Sequence, residues 1–429
     1  MTEPSIPTVG GSRNTWGTQV NQYLDAATAD RVSADWFSNP ADALAAAGDG
    51  RVLEFTPTVT YEIDDPLDIT TPVTMLDGVM PATLTTGGAL IQPSASFNGG
   101  PLLKININAG SKGAWARNLR LDGKGQVGVT AGVEYAYGTI SAADLDHLAI
   151  MNVPTGIKTG TNQQSYEWNR VYATVGIDTA LDIGADSRHI TARSCRFGGA
   201  DYGAIIGADS SASADRTETV IFDGCEIYAV GTASTAAVLL RQSENTRFLN
   251  CYIEIHSSQV TPVTGLVVLG TATANAKYPV FSGCRFGANV KADHYVHMVN
   301  ASYPSFFGNG SDDGLSTGTN AQIKNDVATA AGYVIGMTVD NPDGMQLVIG
   351  DPQAADPQIK TPLRVEYNGQ SLYATNGTQT QFAIDSAGTA DYTAATLLVN
   401  IGGTLSSKRV QIGAADSGGA GYRLLRVAN

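Results

Sequence analysis

The sequence predicts an all-β protein: a right-handed parallel β-helix with a short N-terminal helical anchor and a C-terminal antiparallel β region. Three observations carry this. A short phrase centred on cysteine or another apolar residue recurs at intervals of 23 to 33 residues. A second phrase of small and apolar residues alternates with it. Between them lie turns of Gly, Ser, Asn and Asp rather than helical patterns.

The four cysteines sit in Ser194-Cys195-Arg196-Phe197, Gly224-Cys225-Glu226-Ile227, Asn250-Cys251-Tyr252-Ile253 and Gly283-Cys284-Arg285-Phe286. Phe222, Phe248 and Phe281 stand three before the last three of them. Allowing any apolar residue at the Cys position adds Asn118-Leu119-Arg120-Leu121, His147-Leu148-Ala149-Ile150 and Arg170-Val171-Tyr172-Ala173. The second phrase reads Thr155-Gly156-Ile157, Thr179-Ala180-Leu181, Tyr202-Gly203-Ala204, Thr235-Ala236-Ala237 and Thr264-Gly265-Leu266. A fixed period of this length, built of short strands, marks a stacked solenoid. Each strand then pairs with its equivalent about 4.8 Å away in the next coil. Leu119, Leu148, Val171, Cys195, Cys225, Cys251 and Cys284 become one inward ladder, with the thiols free.

The first coil would expose an open sheet edge and needs a cover. Asn39 to Gly48 supplies a helix, with Asn39 as N-cap, Pro40 at the first position, Asp42 in the first turn and Gly48 as the stop. Strand-like runs follow at 51–55, 60–63, 66–69 and 73–76. Residues 1–30 differ in texture. After a Pro- and Gly-bearing leader, Trp16, Val20, Tyr23 and Leu24 share one helical face. So short an amphipathic helix must dock on something, either its own solenoid or another protein. Beyond residue 310 the period is lost. Runs at 346–350, 363–367, 381–385, 396–401, 408–412 and 422–427 suggest antiparallel strands too poor in apolar residues to close a core alone. Oligomerisation, as a trimer, is the expected closure. The expected organisation is therefore 1–30 attachment leader, 31–310 β-helix and 311–429 C-terminal β region.

Composition narrows the function. Net charge is −14 and charged residues are only 15 % of the 429, against about 25 % in ordinary domains. Low charge with 43 % hydrophobic residues excludes a disordered polyelectrolyte. The acidic balance argues against nucleic acid as partner and against a strongly anionic polymer unless a local basic patch or a metal compensates. No apolar run is long enough to span a membrane, and the N-terminus lacks the pattern of a secretory signal. Four Cys without a CxxC pair suggest neither a disulfide framework nor a zinc site. Neither a nucleotide loop of the Walker type nor a GxSxG nucleophile elbow occurs, and no metal or cofactor is expected.

Several phrases resemble those of bacteriophage tailspike and tail-fibre (minor tail) proteins. Thr15-Trp16-Gly17-Thr18 and its helix are similar to the leader of phage minor tail proteins. The Ala-rich helix followed by Gly50-Arg51-Val52-Leu53-Glu54-Phe55 resembles the start of pectate-lyase-type β-helices in tailspikes. Phe382-Ala383-Ile384-Asp385-Ser386-Ala387-Gly388 resembles a phrase of tail-fibre shafts, and Gly421 to Val427 a C-terminal strand. The resemblance implies a homotrimer on the virion tail, joined to other tail or baseplate proteins through residues 1–30. It also implies recognition of host surface polysaccharide, with or without cleavage.

The repeat frame places outward residues. The position after the Cys holds Arg120, Ala149, Tyr172, Arg196, Glu226, Tyr252 and Arg285. Two residues on stand Asp122, Met151, Thr174, Gly198, Tyr228, Glu254 and Gly287. Glu226 and Glu254 are then about 8 Å apart at Cα, one coil and two residues removed. That suits the carboxyl pair of a glycoside hydrolase, one as acid and the other as base. Tyr228 and Tyr252 would complete the square as stacking surfaces, flanked by Arg196 and Arg285 as substrate-binding groups. The plainer alternative is a solvated charged ladder in which Arg196 pairs with Glu226 across coils. Two further clusters, Asp144/Asp146/His147 and Asp186/Arg188/His189, have the residue types of a metal or general-base site, but turn residues between strands look the same. His294 and His297 lack zinc-finger context.

Overall fold

The computed structural model describes residues 31–48, 51–70, 75–107, 114–136, 143–161, 163–312, 314–316, 322–327, 332–335, 337 and 339–340, and further strands at 373–375, 380–384, 390–391, 409–412 and 425–428. Residues 1–30, expected as an attachment leader, lie outside the described residues, as do the strand runs expected at 346–350, 363–367 and 396–401.

The chain winds into coils whose strands form three long parallel sheets. One coil shows the plan: Thr217–Asp223 lies in the first sheet, Glu226–Ala229 in the second and Ala236–Leu240 in the third. The next coil repeats it with Arg247–Leu249, Tyr252–Ile255 and Val263–Leu269. Every strand pairs in parallel with its equivalent one coil on, as with Glu226 opposite Tyr252 and Val238 opposite Val267. This is a parallel β-helix, as the repeat predicts.

The helix α1 (Pro40–Ala47) packs against the first strands of the solenoid. Asn39 caps it, its side-chain oxygen accepting from the Ala41 amide at 2.9 Å, and Gly48 ends it at φ 55°. Val52–Glu54, Thr60–Ile63, Leu67–Ile69 and Met75–Asp77 follow as strands, close to the expected runs.

The frame of the first phrase matches the register. Arg120, Ala149, Tyr172, Arg196, Glu226, Tyr252 and Arg285 pair in succession along the second sheet. The seven residues before them, from Leu119 to Cys284, are all at most 2 % exposed. The residue one earlier turns the chain from the first sheet into the second in a left-handed conformation: Asn118, His147, Arg170, Ser194, Gly224, Asn250, Gly283 and Gly308 have φ between 51° and 64°. Only Gly, and to a lesser degree Asn, takes that conformation cheaply, which explains Gly and Asn at five of these eight corners.

Inside the coil, like stacks on like. The rings of Phe222, Phe248, Phe281 and Phe306 stack at centroid spacings of 4.9, 4.8 and 5.2 Å, nearly parallel. All four cysteines are free and buried. The Cys195 thiol donates to the carbonyl of Trp168 at 3.4 Å, Cys225 to Ala192 at 3.4 Å, Cys251 to Phe222 at 3.4 Å and Cys284 to Phe248 at 3.3 Å. Burial pushes the Cys195 thiol well above its ordinary value.

The second phrase needs one adjustment. Its frame sets Thr235 level with Thr179, but Ala236 pairs with Tyr202, which pairs with Thr179. The small column is therefore Gly156, Ala180, Gly203 and Ala237. These positions lie where the second and third sheets converge: a Cβ on Gly203 would come within 2.7 Å of Ile227 Cγ2.

Solenoid coils also extend beyond the recognised copies. Thr60–Ile63 and Ala89–Pro93 precede Leu119–Asp122 in the second sheet. Parallel pairing continues past residue 310, with Ile323–Asn325 against the strand ending at Met298, and Val339–Asp340 beyond it.

The C-terminal part forms a separate unit, residues 331–333 and 342–429. Its described strands beyond residue 342 are antiparallel. Tyr373–Thr375, Thr380–Ile384 and Ala390–Asp391 make one sheet, and Arg409–Ile412 pairs with Leu425–Ala428.

Candidate functional site on the second sheet

The outward rows of the second sheet bring the predicted residues together, but Ala149, Met151 and Thr174, expected to face solvent in those rows, are covered and buried. Alternation puts Cys225, Ile227 and Ala229 inside and Glu226 and Tyr228 outside, and the next coil does the same with Tyr252 and Glu254. Glu226 lies opposite Tyr252 and Tyr228 opposite Glu254. The four side chains thus form a square, acids on one diagonal and phenols on the other. Arg196 precedes Glu226 in its row, and Arg285 follows Tyr252.

The second row has room for the rings because its flanking positions are glycine. A Cβ on Gly198 would lie 2.3 Å from the ring of Tyr228, and one on Gly287 2.6 Å from the hydroxyl oxygen of Tyr252. The guanidinium of Arg196 sits 5.1 Å from the centroid of Tyr228, within cation–π range. Burial raises the Tyr228 hydroxyl above its ordinary pKa, so it stays a neutral donor.

Both carboxylates are engaged. Arg196 Nη2 lies 2.9 Å from Glu226 Oε1, as the charged-ladder alternative expects. Glu254 Oε1 accepts from Asn289 Nδ2 at 2.7 Å, and the same amide donates to the Ile255 carbonyl at 2.8 Å. Arg285 pairs with Asp312, its Nε 2.8 Å from Oδ1. Asn289 and Asp312 were not legible as site residues. They come from turns of the following coil, which share no phrase with the strands.

The other clusters belong to strands of the first sheet and the corners beside them. His147 occupies a left-handed corner, with Nδ1 2.9 Å from Asp146 Oδ1 and Nε2 accepting from Arg170 at 2.8 Å. Asp144 accepts from the Glu167 amide at 2.8 Å. Asp186 receives both Nε and Nη2 of Arg188, at 3.0 and 2.7 Å. His189 is a left-handed residue within the strand Arg188–Arg193 of the first sheet. His297 pairs with Asp326 at 2.7 Å, and His294 is buried. Among the described residues no three His, Cys, Asp or Glu side chains converge as metal ligands.

No protein-family model and no curated protein sequence matches the chain. Among solved structures it is similar to ORF18 of Geobacillus virus E2, at 12 % identity and TM-score 0.50, over 89 % of each chain. It is similar to the gp42 tailspike of an Acinetobacter phage, at 12 % identity and TM-score 0.50, over 72 % of this chain and 57 % of that one. It is also similar to DFA-IIIase from Arthrobacter chlorophenolicus, at 10 % identity and TM-score 0.53, over 79 % and 90 %. These are likenesses of fold. The parallel β-helix of this chain is thus one that a phage tailspike also has. Among the described residues no helix is long and apolar enough to cross a membrane.

Proposed function

We propose that this protein is a phage tail spike component that adheres, as a homotrimer on the virion, to a host cell-surface glycan. Residues 1–30 would join it to other tail or baseplate proteins. The observation that carries the adhesion reading is the square of Glu226, Tyr228, Tyr252 and Glu254 on one flank of the solenoid. Phenol rings offer faces for pyranose stacking, while carboxylate and guanidinium groups bond hydroxyls. The fold likeness to a phage tailspike supports the setting.

The geometry favours holding over cutting. A hydrolase needs one carboxyl as proton donor and one as base or nucleophile, whereas Glu226 is committed to Arg196 and Glu254 to Asn289. The deciding experiment spots purified protein on a lawn of cells to which it adsorbs. Adsorption without a translucent halo, abolished by Tyr228→Ala with Tyr252→Ala, supports adhesion. A halo lost in Glu226→Gln with Glu254→Gln would make this pair a depolymerase site. A halo that survives that change would place cleavage elsewhere.

A further inference from the structure

We infer that the glycan held on this flank bears an oxyanion, a carboxylate or a phosphate, and that Arg120 receives it. The inference rests on the adhesion reading above and specifies its ligand.

An acidic chain of net charge −14 repels a polyanion unless it builds a local cationic site. The outward row of the second sheet offers three arginines on one line, Arg120, Arg196 and Arg285, with Glu226 among them. Arg196 is paired with Glu226 and Arg285 with Asp312. Arg120 differs. Among the described residues no carboxylate or carbonyl accepts from it, and its Nε is buried without a hydrogen-bond partner. The acidic side chains nearest by register are taken. Asp122 accepts from the Lys124 amide at 2.8 Å and Asn152 at 2.9 Å, and Glu62 from Gln92 at 3.0 Å and Lys124 at 3.2 Å.

A bound oxyanion would give the terminal Nη groups of Arg120 an acceptor, and the planar guanidinium fork matches a carboxylate or phosphate in two parallel bonds. The row around it fits a polymer. Arg196, three coils along and about 14 Å away at Cα, also has a buried, unpaired Nε. Ala149 and Tyr172 stand between the two arginines. Ala149 is fully buried and adds no contact surface, and Tyr172 adds a half-buried ring. An extended acidic glycan lying along the axis would meet Arg120, Tyr172, Arg196 and then the Glu–Tyr square.

The test is binding of the full chain to an array of bacterial surface glycans in which each acidic structure is paired with its neutral counterpart. The expected result is capture of carboxylated or phosphorylated members only, with the two kinds of acid scored separately. Arg120→Gln should weaken that capture at least tenfold, Arg120→Lys should retain part of it, and both should melt like the wild type. Equal capture of the neutral counterparts, or an Arg120→Gln protein that binds as the wild type does, overturns the inference while leaving adhesion standing. Capture of no glycan at all overturns the adhesion reading itself.

Discussion

Arg196 and Glu226 occupy the same outward row one coil apart, and their side chains meet at 2.9 Å above the ring of Tyr228. The pair is part solvated, with side-chain exposures of 42 % and 34 %. A pair of this kind contributes little to folding. A double-mutant cycle of Arg196→Ala and Glu226→Ala should therefore give a coupling of about 0.2–1 kcal/mol. In adsorption assays the same substitutions should reduce cell binding far more than they reduce stability. A coupling of several kcal/mol would recast the pair as a structural clamp.

The phenylalanine stack is where stability concentrates. Phe248 is fully buried between Phe222 and Phe281. Phe248→Ala should cost about 3–5 kcal/mol, through lost transfer energy and the cavity left behind. Phe248→Leu should cost less. Denaturant melts followed by near-ultraviolet circular dichroism would read both.

Thiol chemistry gives a cleaner readout of the ladder. Thiols walled off from solvent are inert, and all four are buried. A thiol-specific reagent should label none of the four cysteines in the native protein and all four once it is unfolded. Rapid labelling of the native state would contradict the stacked interior.

At the corner between the first and second sheets, backbone conformation is the controlling variable. Gly224 has φ 60° with nothing near a would-be Cβ. Gly224→Ala should thus cost about 1–2 kcal/mol from conformation alone. Arg170 and Ser194 take the same conformation against their preference. Ser194→Gly should raise the melting temperature, and Ser194→Ala should not.

Acid sensitivity should trace in part to Asp77. Its carboxylate is 3 % exposed and accepts from Arg117 Nη2 at 2.7 Å, Asn118 Nδ2 at 2.9 Å and the Val79 amide at 2.8 Å. Burial alone would raise its pKa, but these donors outweigh burial and hold it below the ordinary 3.8. A carboxyl depressed on folding stabilises the protein above its unfolded value and loses that contribution as pH falls through the folded one. The wild type should therefore lose stability below about pH 4. Asp77→Asn should be about 1–3 kcal/mol less stable near neutrality and lose less on acidification, as thermal melts from pH 7 to pH 3 would show.

The solenoid was legible in the sequence because parallel stacking repeats the same environment every coil. Phe222, Phe248 and Phe281 occupy one slot, and so do the cysteines, so a period appears in the residues themselves. The site rows followed from the same frame, since Glu226, Tyr228, Tyr252 and Glu254 sit at fixed offsets from a cysteine. What did not follow lies off the frame. Asn289 and Asp312 belong to turns of varying length. The coils at Thr60–Ile63 and Ala89–Pro93 lack the cysteine phrase. Tyr202 opposite Ala236 shows the frame slipping by one residue where the coil lengthens. Pairing past residue 310 went unseen for a related reason: Gly310–Ser311 is too short and too polar to show alternation.

The left-handed corner also makes the molecule modular. Since Gly224 and Asn250 are equivalent joints, excising the chain from Cys225 through Asn250 would bring Gly224 directly before Cys251 and restore the same turn. Such a variant would be shorter by one rung, near 4.8 Å, with every remaining strand still facing an equivalent neighbour. Reach, in a molecule built this way, can be lengthened or trimmed in whole steps without redesigning its interior.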